Sequence, residues 1–179
     1  MLEQEQDIND TQDTESDDDN QVVVFRLNSE EFAVPIISIQ EIVRIPDELI
    51  RVPKAPDFLE GVINLRGDII PVIDLRKRLS LYDENRTTDK NWVLILRIGN
   101  RVVGFIVDNV TEVLKVAEED IDPPPSIVIA GLENQYIHGV CEISGKLLII
   151  LDFESVLFNE EYYALKDMDF DEIKLIEEV

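Results

Sequence analysis

Only one cysteine and one histidine stand in the 179 residues. A lone cysteine excludes an internal disulfide and suits a reducing cytoplasm. With so few soft ligands, no Cys/His cluster can supply a zinc site. No apolar run approaches the roughly 18 residues of a membrane helix. The first twenty residues, MLEQEQDINDTQDTESDDDN, have neither a basic start nor an apolar stretch, so they do not read as a secretory signal. Glycine is scarce, and Gly67 and Gly145 stand alone rather than in a phosphate-cradling loop. Bases are scarce as well: 16 Lys and Arg against 39 Asp and Glu, a formal charge of -23. Nucleic acid and anionic membrane surfaces both call for a positive field, so neither is an expected partner. "RGD" at 66–68 and "NRT" at 85–87 are three-letter matches to adhesion and glycosylation motifs, and both need an exported protein to mean anything.

What is present is ample apolar material, 45% of the chain, and the length suits one good-sized domain or two small ones. The acids are unevenly spread. Residues 1–20 hold nine and no base, and residues 160–179 hold eight with only Lys166 and Lys174, so the two tails carry -15 of the -23 and leave -8 on 21–159. Low apolar content and high charge predict disorder for 1–20, a solubilising tail in its plainest reading. The segment EEYYALKDMDFDEIKLIEEV has weak helical periodicity, which predicts a C-terminal helix that frays into tail over 159–179.

Between the tails the chain repeats itself. FRLNSEEFAVPIISIQEIV (25–43) aligns without a gap on LRIGNRVVGFIVDNVTEVL (96–114), and GVINLRGDIIPVIDLRKRL (61–79) on GVCEISGKLLIILDFESVL (139–157). The first pairing matches Glu41 with Glu112; the second matches Gly61 with Gly139, Gly67 with Gly145, Asp74 with Asp152 and Leu79 with Leu157. Each copy reads strand, turn, strand, short helical turn, connection, strand, turn, strand, short helix. The helical turn is expected to keep Ile39, Ile42 and Val43 on one face. Asp74 and Asp152 stand where a helix N-cap belongs. Pro71 inside an apolar strand predicts an edge or a bulge there. Short alternating strands with little helix suggest small closed or nearly closed barrels. The expected division is a first barrel over about 21–85 and a second over about 86–158, each too small to stand alone and sharing an apolar interface.

The hairpin GVINLRGDIIPVIDL raises a question that the scaffold does not answer. Gly67 suits the turn because it tolerates positive φ, but no turn needs a guanidinium. In the second copy Arg66 becomes Ser144, so the hairpin closes without arginine. Asn64 and Arg66 fall on the outward face, as do Glu142 and Ser144, while Ile63 and Cys141 face inward. A lone outward arginine is ordinarily a solvated side chain.

FLEGVINLRGDIIPVIDLRKRL, with QEI at 40–42 and NRVVGFIVDNVTEVL at 100–114, resembles the CheW-type chemotaxis coupling proteins over about 21–158. The resemblance implies a mainly β fold of two SH3-like five-stranded barrels. It implies an adaptor without catalysis or cofactor that links the cytoplasmic tip of a chemoreceptor to the regulatory domain of the histidine kinase CheA, a monomer alone and part of a large array in the cell. Such a protein works in the cytoplasm, held at the membrane's inner face through receptors. The family's receptor-binding surface matches Ile39, Glu41, Gly61 and Arg66. For Ile39 the resemblance is in tension with its core-facing periodicity, and for Gly61 the repeat favours a structural reading. The kinase face is implied on the second barrel, where Val102 and Val103 are the nominated strand residues.

Three other readings compete. An enzyme is disfavoured because His138 is the only histidine, Cys141 faces inward, and most carboxylates sit in tails that cannot hold a catalytic pair. A fused receiver or kinase domain does not fit in the roughly 20 residues after 158, since a domain needs at least about 50. The same adaptor fold could instead serve a chemosensory kinase that controls pili or gene expression.

Overall fold

The computed structural model describes residues 20–47, 49–81, 92–124, 126 and 132–157. The acidic tail, save Asn20, and the expected C-terminal helix lie outside the described residues. Among the described residues ten strands form, five per repeat: β1 (Gln21–Leu27), β2 (Glu30–Pro35), β3 (Ile39–Arg44), β4 (Leu59–Leu65) and β5 (Asp68–Asp74), then β6 (Trp92–Ile98), β7 (Arg101–Val107), β8 (Asn109–Lys115), β9 (Ile137–Ile143) and β10 (Lys146–Leu151). A short helix closes each half, α1 (Leu75–Arg78) and α2 (Phe153–Leu157). Asp74 caps α1 by accepting the Arg76 N–H at 3.0 Å, and Asp152 does the same for the Ser155 N–H at 3.2 Å. Both expected caps are in place.

The strands form two five-stranded sheets, ordered β8-β1-β2-β10-β9 and β3-β6-β7-β5-β4. Each sheet takes the first two strands of one repeat and the last three of the other. The expected division at 85/86 is therefore corrected: the two halves of the sequence exchange strands, and neither sheet is built from one half. The chain crosses between the sheets twice, at the 3-10 turn Ile36–Ser38 between β2 and β3 and at Asp108 between β7 and β8. A second correction concerns Ile39, Ile42 and Val43. They lie in strand β3, not in a helical turn, because β3 pairs antiparallel with β6 from Ile39↔Leu96 to Arg44↔Trp92. Pairing along a whole strand outweighs a weak local preference.

Each sheet buries both faces. Val22, Val24, Cys141, Leu148 and Ile150 pack inside the first sheet's curl, and Ile63, Ile70, Val72, Val93, Ile95 and Ile106 inside the second's. The alternate residues meet between the sheets, where Val23, Phe25, Phe32 and Val34 face Leu94, Leu96, Phe105 and Val107. Phe153 of α2 is set edge-on to Phe105 at 5.1 Å and lies 6.4 Å from Phe25, so it bridges the two sheets. The shared apolar core expected from two small repeats is this layer.

A buried polar knot adds to it. The Arg76 guanidinium lies 3.3 Å from Asp74 and 3.2 Å from Asp108. Asp108 accepts the Asn28 N–H at 2.6 Å, and the Asn28 side chain donates to the Leu81 carbonyl at 2.8 Å. The knot ties α1 to the β1–β2 turn and to the residue between β7 and β8. Paired carboxylates on both sides are what allow a guanidinium to be buried here.

Candidate partner-binding site

The β4–β5 hairpin closes through Arg66 and Gly67, both left-handed at φ 55° and 92°. That combination marks the two-residue turn whose twist matches its strands. Asn64 Oδ1 accepts the Gly67 N–H at 2.9 Å and pins the turn. Ser144 and Gly145 adopt the same conformation at the β9–β10 tip, with φ 53° and 76°. The scaffold thus holds a non-glycine residue in a strained backbone region at both tips, but it places a guanidinium at one only.

That guanidinium is oriented. Arg66 donates from both Nη atoms to the two carboxylate oxygens of Glu41, each at 3.0 Å. The Arg66 side chain remains 75% exposed and that of Glu41 25%. Glu41 lies on β3 and Arg66 follows β4, and these are the two outer strands of their sheet. The fork-to-fork pair therefore spans the seam where the curled sheet closes on itself. A guanidinium has five N–H donors, and Glu41 engages two of them, so the others stay available to a partner. The first sheet cannot form this pair, because Glu112 there is matched with Ser144.

The other nominated residues are placed unequally. Ile39 is half-buried on β3 and packs against the core between the sheets. Its core-facing periodicity is reflected in that packing, and part of its side chain stays exposed. Gly61 is buried. A Cβ on it would stand 2.5 Å from the Ile50 carbonyl oxygen, where residues 49–50 cross the strand. Gly139 has the same relation to Asp122, at 2.8 Å. Gly61 is needed for that close approach, and its assignment to a contact surface is corrected. Val103 is corrected too: it is only 2% exposed, in the core between the sheets. Val102 is half-buried on the opposite face of β7 and borders the same cleft as Arg66. The two kinase-face nominees therefore share a sheet with Glu41 and Arg66 instead of lying on a separate barrel. The strand exchange is the cause, since β6 and β7 of the second repeat join β3, β4 and β5 of the first.

The cleft itself was missed in the sequence. Parallel pairing of β5 with β7 begins only at Val72↔Gly104. Upstream the two strands part, which is how Pro71 is accommodated in a strand between two neighbours. A cleft of about 540 Å³ opens there, bordered by Gln40, Arg66, Asp68, Arg97, Arg101 and Val102 among others. The available signal was the repeat itself: Glu30 and Glu31 of the first copy become Arg101 and Val102 in the second.

Burial pushes the Cys141 thiol above its ordinary pKa, and Asp120 and Asp122 push in the same direction. It remains a protonated apolar side chain and not a nucleophile. Among the described residues no group of His, Cys, Asp and Glu could hold a metal ion. No described helix is long and apolar enough to cross a membrane.

Comparison with known proteins agrees with this geometry. The model of the CheW-like domain matches residues 21–161. The chain is 39% identical to the chemotaxis protein CheW of Klebsiella aerogenes over 143 residues, covering 78% of this chain and 82% of that one. It is 33% identical to the CheW of Treponema pallidum, covering 86% and 91%. The crystal structure of the scaffolding protein TtCheW from Thermoanaerobacter tengcongensis superposes with a TM-score of 0.71 at 32% identity, covering 79% of this chain and 90% of that chain. Two strand-exchanged five-stranded sheets and relatives of this kind lead to one conclusion: the chain belongs to the CheW-like family and is a non-catalytic scaffold of bacterial chemotaxis.

Proposed function

We propose that this scaffold couples the cytoplasmic hairpin tip of a chemoreceptor to the regulatory domain of a histidine kinase of the CheA type, and that Arg66 is the centre of the receptor contact. The observation that carries the reading is the Arg66–Glu41 fork across the seam. It holds an exposed guanidinium in one orientation, on a turn whose twin does without it. A preoriented fork suits a carboxylate or backbone carbonyl on a receptor hairpin. The half-buried Ile39 and the 71%-exposed Ile37 on the adjoining turn supply apolar contact for a helix laid alongside. Glu41 acts by positioning Arg66.

The kinase contact is better sought on the first sheet. Val113 of β8 and Leu147 of β10 expose about half of their surface there, at 53% and 50%. A contact through Val102 would share ground with Arg66, whereas an adaptor has to hold both partners at once. The chain then works in the cytoplasm, at the membrane only through the receptor. Titration of the purified chain with a receptor hairpin and with the kinase regulatory domain tests the reading. Arg66→Ala is expected to weaken the first and spare the second, and Val113→Glu the reverse. Equal loss of both partners in either variant, with normal folding, would refute the separation of faces.

A further inference from the structure

The two short helices close their repeats alike, but the space beside each is filled differently. Beside α1 it holds a guanidinium. Arg76 Nη2 lies 3.3 Å from Asp74 and Nη1 lies 3.2 Å from Asp108, with the side chain only 3% exposed. The repeat carries that space onto a hollow of about 190 Å³ beside α2, bordered by Ser38, Arg97, Gly99, His138, Asp152 and Glu154 among others. The local frame is the same. The Asp74 N–H donates to the Phe58 carbonyl and the Asp152 N–H to the matching Tyr136 carbonyl, each at 2.9 Å. Asn28 and the matching Gly99 are both left-handed, at φ 58° and 61°.

Three differences empty the second space. Where the first site has Asn28, Arg76 and Asp108, the second has Gly99, Glu154 and Ile37. Ile37 is exposed, in the segment whose Pro35 and Ser38 form part of the rim. The capping aspartate is kept. Asp152 Oδ1 accepts the Ser155 N–H at 3.2 Å, and Oδ2 accepts the Ser155 hydroxyl at 2.9 Å. An ionised carboxylate has about four acceptor sites, so Asp152 can still take a guanidinium as Asp74 does. Glu154 offers the second carboxylate, the part that Asp108 plays in the first site. Arg97 stands on the rim and pairs with neither acid among the described residues. With His138 neutral, two carboxylates face one guanidinium, and the hollow is left acidic.

We propose that this hollow receives the guanidinium of an arginine from the receptor hairpin, in the place that Arg76 fills in the sister site. The choice of partner rests on the receptor assignment above; the chemistry of the hollow does not. Arginine suits it better than lysine, because a planar fork can engage two carboxylates at once. Arg97 borders both this hollow and the cleft beside Arg66, so the two recesses adjoin. A helix that brings a base to the hollow and an acid to Arg66 fits in one direction only, and the two sites together set its orientation.

The test uses the full chain with Glu154→Gln and Glu154→Arg. Glu154 is exposed, so both variants should melt near the parent. Glu154→Arg supplies from within the guanidinium that Arg76 supplies in the sister site. Receptor-hairpin affinity should fall about tenfold in it, and less in Glu154→Gln, which carries the comparison if the arginine variant melts low. Each arginine of the hairpin is then replaced by alanine. One of them should lose about tenfold against the parent and nothing against Glu154→Arg. A hairpin that depends on Arg66 but binds both variants like the parent, or has no arginine coupled to Glu154, would overturn the hollow and uphold the receptor assignment. A second arm needs no receptor. N-acetylarginine amide should shift the amide resonances of Gly99, His138 and Ser155 more than the lysine analogue does, and should shift none of them in Glu154→Arg. Such shifts beside a hairpin that does not bind would overturn the receptor as the source and uphold the guanidinium site. Their absence from the parent, or their persistence in Glu154→Arg, would overturn the site.

Discussion

Arg66 offers the sharpest test of how a strained turn and an exposed ion pair divide between stability and recognition. Removing the side chain as Arg66→Ala forfeits the Glu41 pair, which at 75% exposure of the arginine is worth about 0–1 kcal/mol. The left-handed backbone at φ 55° costs roughly 1–2 kcal/mol for any residue with a Cβ, so Ala neither relieves nor worsens it. Arg66→Gly relieves that cost but gives back about 0.5–1 kcal/mol in chain entropy, so it should sit near the parent. Both variants should melt within about 2–4 °C of the parent, since about 1 kcal/mol shifts a domain of this size by that much. Receptor affinity should behave differently. Charge-assisted hydrogen bonds are worth about 1.5–3 kcal/mol, and their loss weakens binding about ten- to hundredfold. Arg66→Lys should rescue only in part, because an ammonium lacks the planar fork. Glu41→Gln should cost less than Arg66→Ala, since it loosens the guanidinium without removing it. Calorimetric titration with a receptor hairpin beside a melting curve for each variant decides the matter. Normal affinity in Arg66→Ala would refute the site, and a melting temperature lowered by tens of degrees would make Arg66 a structural residue.

Neither half of the chain should fold alone, because each sheet takes strands from both; residues 1–85 and 86–179 expressed apart should lack cooperative melting and regain it when mixed, and a cooperative transition in either fragment would contradict the exchange. Gly61→Ala should cost about 3 kcal/mol, in the range of overpacked sites, because its Cβ meets a backbone carbonyl at 2.5 Å; a denaturant midpoint equal to the parent's would show that residues 49–50 can yield. The Cys141 thiol should react with a thiol reagent only at the rate of unfolding. Its folded pKa is raised, so the unfolded chain releases the proton first: this group's contribution is complete below about pH 8.5 and declines as pH rises above it. Stability that instead increased through that range in the parent, but not in Cys141→Ala, would reverse the sign.

The sequence by itself carried whatever is local or repeated. The gapless alignment of the two copies marks both hairpins, the capping Asp74 and Asp152, the inward Ile63 and Cys141, and the outward Asn64 and Arg66. It also showed that Arg66 is not a scaffold residue, because Ser144 fills the same turn. Only the tertiary structure decided which strands share a sheet. Hairpin pairing is written in turn residues and alternation, whereas the partner of β3 is fixed by where the three-residue turn after β2 delivers it. Ile39, Ile42 and Val43 have a spacing that suits a helix, and the open edge of β6 makes them a strand. Val103 appeared available because β7 buries both faces: Val103, Gly104, Phe105, Ile106 and Val107 are all buried, and the alternation that tells inside from outside is lost. The contact between Glu41 and Arg66, 25 residues apart, exists only because the sheet curls until its outer strands meet. The arginine cleft exists because β5 and β7 part before Val72. Charge and turn chemistry are read residue by residue, but closure and strand exchange are properties of the whole chain.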